Sequence, residues 1–455
     1  IYVKSPPISG KNLFVMPVSS ARYSPITVSH ERPSPPLALP RSPLPAYPSG
    51  MLVVQKYGGT SVADAERIRH VAGRVIQRVR AGDEVVVVVS AMGNTTDELV
   101  DLALSVSPVP DPRELDMLLS TGEQMSIALV AMALKALGQE AIGLTAQQAG
   151  IFSKASYGSG LIARIEADRV RAELAAGRVP IVAGFQGTTD DQEIVTLGRN
   201  ASDTTAVALA VAIGADRCES CKDVEGVYTA DPRIVPAARK LKDITYEEML
   251  ELASQGSKVI HNRAVELASV YDLPLLVLSS MVDAPGTLIH GESELEERNK
   301  VRGIAHDTDV AKITVRGVPD HPGIAATIFE PLAAAGISVD TIVQNASEHQ
   351  LTDLTFTLAR RDIRRAEPLM EQICASVGAN GYTANPNLGK VSIVGVGIQT
   401  AHGYAARMFR ALFDAGINIE LISTSEIRLT CIIDVDRVND AVTALHDAFA
   451  LEHEE

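Results

Sequence analysis

The chain has 455 residues, of which 46% are hydrophobic and 21% charged, and a formal net charge of −15. This composition is typical of a globular protein and excludes a largely disordered chain. The acidic balance argues against nucleic acid as a partner, because domains that bind nucleic acid present clustered positive charge. No apolar run approaches the roughly 20 residues of a membrane helix, so no membrane association is expected. Four cysteines in so long a chain do not make a disulfide framework, which favours the reducing cytoplasm.

Residues 1–50 differ in kind from the rest of the chain. They are rich in Pro and Ser and lack periodicity, which predicts a disordered tail outside the functional protein. Their basic, acid-poor composition resembles that of a transit peptide. The density of proline would break the amphipathic helix that such peptides form.

Residues 51–290 alternate apolar strands with helices and are expected to form one α/β domain. Near-continuous apolar strands between helices indicate a mostly parallel sheet covered on both faces. Ligands of such folds bind beyond the carboxyl ends of the strands, so the polar loops there are the candidate sites. Helices are predicted at about residues 62–79, 113–137 and 246–255 and after Ser202, and the strands carry LVVQKY, EVVVVVS, AIGLTA, VPIVAGF and PLLVLSS, with one more around Cys218.

Residues 291–310 are charged and predict a linker, after which the sequence repeats itself. The segments that begin at Gly323 and Gly403 align without gaps, and a strand precedes and follows each. The unit is therefore β-α-β-β-α-β, a ferredoxin-like α+β module present twice, over 311–386 and 387–455. A duplicated small module behind a larger domain suggests regulation. Structural bulk or a dimer interface is the alternative.

The first polar loop contains Lys56, Gly58 and Gly59 in the sequence QKYGGTS. Two glycines let backbone N–H groups surround an anion, and the lysine beside them supplies a charge for phosphate. Loop glycines next to a surface lysine are the plainer interpretation. Neither a Walker A motif nor the H-R-D and D-F-G signatures of protein kinases are present.

The second strand ends in SAMGNTTDE, which brings the hydroxyls of Ser90, Thr95 and Thr96 to the same edge. Helix capping is the alternative role, and it suits one of the threonines. Further on, Gly122 and Glu123 interrupt a long apolar helix. A carboxylate buried there should have a cationic partner, and surface exposure is the alternative.

The stretch TLGRNASDTTAVALA has the form of a loop that feeds a helix, with Ser202 at the expected N-cap. Such a junction favours an anion, because N–H groups and the helix dipole converge there. Arg199 can hold a carboxylate with two hydrogen bonds, and Asp203 follows in the first turn. A later polar segment adds cationic and stacking capacity through Asp223, Tyr228, Asp231, Arg233 and Lys258.

Cys218 and Cys221 form a C-x-x-C that lies in a predicted strand. A zinc site would need a second pair or a histidine partner, and a thioredoxin-type motif would sit at a helix start. We interpret the spacing as chance and expect no metal site built by the protein.

Taken together and in order, several motifs resemble those of the aspartokinases, enzymes of the amino-acid kinase fold. They are KYGGTSV, SAMGNTTDEL, STGEQMS, IVAGFQG, TLGR with SDTTAVALA, and GVYTADPRIV. The repeat, with PDHPGIAA, IVQN and STSEIR, resembles the tandem ACT domains of those enzymes. The resemblance covers Met51 to Leu451 and implies a mostly parallel sheet sandwiched by helices, followed by two ferredoxin-like ACT domains.

The activity implied by the resemblance is transfer of the ATP γ-phosphoryl group to the β-carboxylate of L-aspartate. This gives 4-phospho-L-aspartate and begins lysine, threonine and methionine biosynthesis. The resemblance further implies Mg²⁺ on the phosphates, lysine and/or threonine as effectors, and a homo-oligomer formed through the ACT domains.

Roles for individual residues are likewise implied by the resemblance alone. Lys56 would stabilise the transferring group, Asp203 would fix Lys56 or the substrate ammonium, and Arg199 would complete the catalytic set. The substrate-binding positions would be Ser90, Thr96, Glu123, Arg199 and Ser202. The nucleotide-binding positions would be Lys56, Gly58, Gly59, Asp223, Tyr228, Arg233 and Lys258. The effector-binding positions would be Asp320, Gly323, Ala325, Gln344 and Asn345.

The chain departs from the family pattern on the nucleotide side. Its loop has G-R-N-A-S-D where the family has G-R-G-G-S-D, so Ala201 is expected to strain any left-handed backbone. Lys222 replaces a small hydroxyl residue, Asn262 stands where proline is common, and LLVLSSM lacks the arginines and aromatic of the usual LRVRSSF.

Two alternatives stay open. Another enzyme of the fold, such as acetylglutamate kinase, is disfavoured by Glu123, which suits a free ammonium, and by the ACT pair. A catalytically impaired amino-acid sensor on the same scaffold is favoured by Asn200 and Ala201.

Overall fold

The computed structural model describes residues 50–154, 156–198, 201–291, 301–345, 350–398 and 402–453. The predicted tail, Arg199 and Asn200 lie outside these ranges, and so do most of the charged residues expected to form the linker.

The larger domain contains twelve strands and seven helices in the part of the chain described. The strands are β1 Leu52–Tyr57, β2 Glu84–Val89, β3 Ala141–Leu144, β4 Ile151–Ser153, β5 Ile162–Ile165, β6 Val179–Ala183, β7 Gln186–Thr188, β8 Ile194–Thr196, β9 Arg217–Lys222, β10 Asp243–Thr245, β11 Leu275–Ser279 and β12 Thr287–His290. The helices are α1 Ala65–Arg80, α2 Thr95–Val106, α3 Pro112–Ala136, α4 Asp168–Ala175, α5 Ser202–Ile213, α6 Tyr246–Ser254 and α7 Asn262–Val270.

The predicted mostly parallel sheet is confirmed. Eight strands lie in the order β10-β12-β11-β9-β1-β2-β6-β3, and of these pairings only β11 with β12 is antiparallel. Strand β2 shows that helices cover both faces of the sheet, because its five valines are all buried. Val86 and Val88 pack in the hydrophobic cluster that includes α5, α6 and α7 residues, whereas Val85, Val87 and Val89 pack with α1 and α3. Alternate side chains thus face opposite helical layers.

Local signals fix the helices on the sheet. Asp64 caps α1 by accepting hydrogen bonds from the backbone N–H groups of Glu66 and Arg67, both at 2.9 Å. Because of this cap, α1 begins at Ala65, later than the predicted start. Helix α5 ends at Gly214 in the left-handed conformation, with φ of 71°.

A second, four-stranded sheet in the order β5-β4-β7-β8 was not predicted. Asp116 of α3 ties this sheet to the helix, because its carboxylate accepts from the N–H of Thr196 at 2.8 Å and from its Oγ1 at 2.6 Å. The same carboxylate accepts from the N–H of Gly158 at 2.9 Å. Helix α3 is therefore held in a fixed position relative to the end of β8 and to the loop between β4 and β5.

By length and composition, α3 would be long enough to cross a membrane, and no other helix in the described ranges is. The sequence analysis expected no such segment. Half of its most apolar window is buried inside the protein, and the buried face carries Asp116 and Glu123. A core helix of a folded domain has these properties.

The C-terminal region forms one six-stranded antiparallel sheet in the order β14-β15-β13-β16-β18-β17. Its strands are β13 Gly303–Pro319, β14 Val339–Gln344, β15 Leu351–Ala359, β16 Gly381–Val394, β17 Leu421–Ser425 and β18 Arg428–Asp434. Its helices are α8 Ile324–Ala334, α9 Ile363–Val377, α10 Tyr404–Asp414 and α11 Val438–Ala448.

The two predicted modules share their long strands. Residues 310–316 of β13 pair with 381–388 of β16 in the first module, and residues 303–307 pair with 390–394 in the second. The order β17-β18-β16-β13 then repeats the order β14-β15-β13-β16. The closing strand of the second module is therefore the start of β13, which the sequence analysis assigned to a linker. The prediction of two self-contained modules is therefore wrong in one respect. The second module takes one of its four strands from residues 303–307, which precede the first module in the chain.

Candidate active site

Polar residues follow the strands of the large sheet at one edge. Strands β1, β2, β6, β9 and β11 are parallel neighbours, so their carboxyl ends meet on the same side. Lys56 lies near the end of β1, opposite Val88 of β2 and Ser220 of β9. The N-terminus of α5 reaches this edge through Asp203, which contacts Lys56. The predicted location of the site at the strand ends is thus matched by a cluster of charged groups.

The centre of the cluster is a carboxylate held between two ammonium groups. Lys56 Nζ lies 2.9 Å from Asp203 Oδ1, and Lys222 Nζ lies 2.7 Å from Asp203 Oδ2. The Ser220 hydroxyl is 3.4 Å from Oδ1. Of the two partners foreseen for Asp203, the structure brings it to Lys56. The contact with Lys222 was not predicted.

Asp203 is ionised in this arrangement. Burial by itself would raise the pKa of its carboxyl, but the charges of Lys56 and Lys222 outweigh burial and hold the pKa well below its ordinary value. The side chain is only 3% exposed. A permanently charged Asp203 therefore orients both lysines.

The start of α5 differs from the prediction. Ser202 is the first helical residue and not the N-cap; Ala201 occupies the cap position and makes no side-chain capping bond. Ala201 has φ of −71°, a right-handed value that alanine adopts without strain. The expected left-handed penalty at Ala201 is wrong. Ser202 is buried against Gly184, where a Cβ would lie 2.7 Å from Ser202 Oγ.

The glycines of the first loop allow a close backbone approach. A Cβ on Gly59 would lie 2.6 Å from the carbonyl oxygen of Ala91, inside any normal contact. The loops after β1 and β2 are joined there by a hydrogen bond from the N–H of Gly93 to the Gly59 oxygen at 3.0 Å. Gly58 lies at the start of this turn with φ of −72°. Its backbone conformation therefore does not require glycine.

Glu123 is buried, which rules out the surface alternative. Its Oε1 accepts a hydrogen bond from the N–H of Ala91 at 3.0 Å, and its Oε2 is buried with no hydrogen-bond partner. Burial raises the pKa of Glu123 to about 7, and the Ala91 N–H offsets only part of that effect. Gly122 permits this approach of α3, since a Cβ there would lie 2.8 Å from the Cβ of Ala91. No cation of the described residues fills the free side of Glu123.

Ser90 and Thr96 lie near the same loop. Ser90 follows β2, and its N–H donates to the carbonyl of Tyr57 at 3.1 Å, so it stands at the strand edge beside the first loop. Thr95 and Thr96 open α2, and the capping position belongs to Asn94, which makes no side-chain capping bond. The capping alternative for the threonines is therefore wrong. Both threonines are half-buried.

The residues assigned to the nucleotide are more dispersed. Tyr228 is half-buried and Asp223 is exposed at the end of β9. Arg233 is 89% exposed and is paired with Asp231 at 2.7 Å. Lys258 is exposed, and its charge and that of Arg233 both act on the pKa of His306, which burial lowers. Within the described residues, the ion pair of Lys56 is with Asp203 and not with any of these side chains.

Two residues near Asp203 were missed or misjudged. Lys222 was noted only as a departure from the family pattern, yet it forms one of the two ion pairs of Asp203. His261 caps α7 by accepting from the N–H of Arg263 at 3.3 Å. Burial lowers the pKa of His261, and the charges of Asp203 and Lys222 also reach it. No local motif could predict these contacts, because Asp203, Lys222 and His261 belong to α5, β9 and the start of α7.

No group of three or more His, Cys, Asp or Glu side chains stands together as a metal site within the described residues. Cys218 and Cys221 are buried free thiols, and burial raises the pKa of both. A raised pKa keeps both thiols protonated near neutral pH, which disfavours them as nucleophiles.

The predicted effector residues lie together in the first C-terminal module. Asp320 follows β13, Gly323 caps α8 with φ of 93°, and Ala325 is in the first turn of that helix. Gln344 ends β14, and the carbonyl of Asn345 accepts from Thr352 Oγ1 at 2.9 Å. All five residues are exposed.

Comparison with known proteins agrees with this architecture. Residues 51–279 match the amino acid kinase family, and residues 313–378 and 391–449 each match an ACT domain. An aspartokinase of Pseudomonas aeruginosa is 50% identical over 403 residues, which are 88% of this chain and 98% of that protein.

Two solved structures are similar over nearly their whole length. Escherichia coli aspartokinase III in complex with aspartate and ADP is 26% identical, with a TM-score of 0.75, and the alignment covers 87% of this chain and 99% of that one. The same enzyme in complex with lysine and aspartate is 25% identical, with a TM-score of 0.67 and coverage of 88% and 99%.

The match over residues 51–279, together with the mostly parallel sheet, shows that the larger domain belongs to the amino acid kinase family of enzymes. Within that class, the relatives and the ACT matches show that the chain belongs to the aspartokinase family.

Proposed function

We propose that the chain transfers the γ-phosphoryl group of ATP to the β-carboxylate of L-aspartate. A carboxylate oxygen of aspartate forms a bond to the γ-phosphorus, the bond from that phosphorus to the bridging oxygen breaks, and ADP and 4-phospho-L-aspartate leave. The nucleophile is already an anion, so the enzyme needs no strong base. Positioning and neutralisation of charge provide the catalysis.

The main support for an amino-acid substrate is the buried carboxylate of Glu123. Its buried Oε2 lacks a partner, while Oε1 is fixed by the N–H of Ala91. An unpaired buried carboxylate oxygen is costly, and an ammonium group supplies both charge and hydrogen bonds. The α-ammonium of aspartate fits this demand. An N-acetylated substrate, which has no ammonium, does not.

Lys56 is the group proposed to neutralise the transferring phosphoryl. Its side chain is 8% exposed and fixed by Asp203 at 2.9 Å, so its charge is held in place before substrate binds. Ser90, Thr96 and Ser202 would orient the β-carboxylate, and Arg199 would pair with the α-carboxylate. Of these, Ser90 and Ser202 lie at the strand ends and at the start of α5, whereas Arg199 is outside the described residues.

The nucleotide would bind between the first glycine loop and the more exposed residues that follow β9. Gly58 and Gly59 would approach the phosphates, and Asp223, Tyr228, Arg233 and Lys258 would hold the nucleoside. Mg²⁺ would be held mainly by phosphate oxygens, because both oxygens of Asp203 are already engaged by lysines. When bound, the ion would reduce the negative charge that the carboxylate nucleophile must approach.

Feedback by lysine and/or threonine is proposed to act through the ACT modules. Thr229 adjoins Tyr228, and its hydroxyl contacts Nε2 of the buried His446 at 3.1 Å. The same region is joined by an ion pair between Arg428 and Glu251 at 2.8 Å. These contacts join α11 of the second C-terminal module to the segment that follows Tyr228, and β18 of that module to α6. The similar E. coli aspartokinase III has been solved in complex with lysine.

The effector site is proposed to include Asp320, Gly323, Ala325, Gln344 and Asn345. These residues lie around one helix start and one strand end of the first module, and their exposure in a single chain suits a homo-oligomeric interface. The reaction is proposed to open lysine, threonine and methionine biosynthesis in the cytoplasm, where the four free buried cysteines stay reduced.

The impaired-sensor alternative rests on the departures of the phosphate loop. The right-handed φ of Ala201 removes one of its two supports, and Asn200 lies outside the described residues. A direct comparison of the chain with Asn200→Gly/Ala201→Gly separates the two functions. An active parent chain favours the kinase, whereas turnover only in the glycine variant favours the sensor.

The substrate assignment is tested by trapping the acyl phosphate as a hydroxamate with MgATP and one of three acceptors. L-Aspartate should support turnover, and N-acetyl-L-aspartate and L-glutamate should not. Equal turnover with the N-acetylated acceptor would contradict the role given to Glu123 and would favour an acetylglutamate kinase type of acceptor.

A further inference from the structure

Lys222 brings an additional charge into the site. It is the last residue of β9, and its neighbour on β11 is Ser279. Its Nζ lies 2.7 Å from Asp203 Oδ2, and within the described residues its only hydrogen-bond partner is that carboxylate. An ammonium has three donors, so two remain for a ligand.

The cluster of Lys56, Asp203 and Lys222 has an excess of one positive charge. One lysine would already neutralise Asp203, so the second is not needed to satisfy that carboxylate. The exposed fraction of the side chain is 3% for Asp203, 8% for Lys56 and 16% for Lys222. Lys222 therefore lies on the more open side of the cluster.

An excess buried cation is costly without an anion. Burial and the charge of Lys56 lower the pKa of Lys222 below its ordinary value, even though Asp203 and the adjacent, exposed Asp223 oppose this effect. The positive end of the α5 dipole points to the same place, since Asp203 lies in the first turn of that helix. The field at the open side of Lys222 thus favours a multiply charged anion.

We propose that Lys222 is a second phosphate-binding lysine, which donates to the terminal phosphoryl group of a bound nucleoside triphosphate beside Lys56. This role rests on the proposed kinase function and deepens it. Asp203 then aligns two ammonium groups on one phosphoryl group instead of serving a single lysine. Lys222 would act directly on the phosphoryl oxygens, so its loss should affect the triphosphate more than the diphosphate.

The test uses the full chain and four proteins. They are the parent, Lys222→Met, Lys222→Arg and Lys312→Met. Lys312 is a matched control, because its Nζ pairs with Glu420 at 2.6 Å and its side chain is 19% exposed, but it lies in the C-terminal sheet. Calorimetric titration with MgADP and with the magnesium complex of a non-hydrolysable ATP analogue measures binding, and hydroxamate formation gives kcat and KM.

Lys222→Met should weaken binding of the triphosphate analogue by about 10- to 100-fold and lower kcat by a similar factor. This is the range for a lost hydrogen bond to a charged group. MgADP affinity should fall much less, Lys222→Arg should recover most of both losses, and Lys312→Met should match the parent. Melting curves of all four proteins identify any loss that comes from misfolding.

Equal binding of the triphosphate by the parent and Lys222→Met would overturn the proposal, and so would an equal loss for both nucleotides. Tighter triphosphate binding by Lys222→Met than by the parent would also overturn it, since Lys222 would then obstruct the pocket. If the parent phosphorylates aspartate and Lys222→Met is unaffected, this inference alone fails. If triphosphate binding depends on Lys222 and aspartate is not phosphorylated, the proposed function alone fails.

Discussion

Replacing Glu123 by glutamine is predicted to weaken aspartate binding. It should also remove a loss of unfolding free energy that the parent chain suffers as pH rises. Burial raises the pKa of Glu123 from its ordinary 4.5 to about 7. Between these values the native chain holds a proton that the unfolded chain has lost. The free energy of unfolding therefore falls as pH rises through this window.

The size of the effect follows from the two pKa values. At about 1.4 kcal/mol per pH unit, the parent should lose about 2 kcal/mol of unfolding free energy relative to Glu123→Gln between pH 5.5 and 8.5. Any change in unfolding free energy that comes from burying the amide of Glu123→Gln is the same at every pH. That constant does not alter the difference between the two proteins in how unfolding free energy depends on pH. It is measured by denaturant unfolding of both proteins at several pH values, without substrate.

Aspartate binding should respond in the opposite direction. The ionised carboxylate pairs with the substrate ammonium, so aspartate affinity of the parent should rise with pH through about 7. Glu123→Gln should lower kcat/KM for aspartate by about 10- to 100-fold. Glu114→Gln, on an exposed turn of the same helix, serves as the control. Parallel stability curves for parent and variant, or an unchanged KM for aspartate, would refute the reasoning.

Three further variants test separate parts of the site. Asp203→Asn leaves two buried ammonium groups without their carboxylate, so unfolding free energy should fall by about 3–5 kcal/mol in denaturant titrations and turnover should collapse; a change below about 1 kcal/mol would contradict the burial of the pair. Gly59→Ala forces a Cβ to within 2.6 Å of the Ala91 carbonyl, and should cost about 1–3 kcal/mol in the same titration, whereas a neutral effect would show that the two loops separate freely. Gln344→Ala should raise the half-inhibitory concentration of lysine or threonine while basal turnover stays constant, and an unchanged inhibition curve would remove this residue from the effector site.

Sequence patterns predicted the elements that depend on local chemistry. The valine run of β2 indicated a strand buried on both faces, and parallel strands placed the candidate loops at one edge. Lys56, Gly59 and Glu123 were found because their residue types are unusual at the end of a strand or within an apolar helix. Lys56 and Glu123 are buried, and Gly59 and Glu123 both approach Ala91 just after the end of β2.

Other features depend on contacts between distant segments and had no local signature. The bond from Lys222 to Asp203 joins the end of one strand to the first turn of a preceding helix. The closing strand of the second module comes from the start of β13, which precedes the first module in the chain. The backbone at Ala201 was predicted from a glycine pattern, but the helix starts early enough for a right-handed φ to suffice.

We propose that this chain phosphorylates aspartate, with the transferring phosphoryl group neutralised by Lys56, whose ammonium is held in place by Asp203. The most direct measurement is hydroxamate formation by the full chain with MgATP and L-aspartate, beside Lys56→Met. We predict turnover that requires both substrates and that falls by at least about 100-fold in the variant. A folded parent chain that binds MgATP but forms no aspartyl hydroxamate, or a Lys56→Met variant as active as the parent, would contradict the claim.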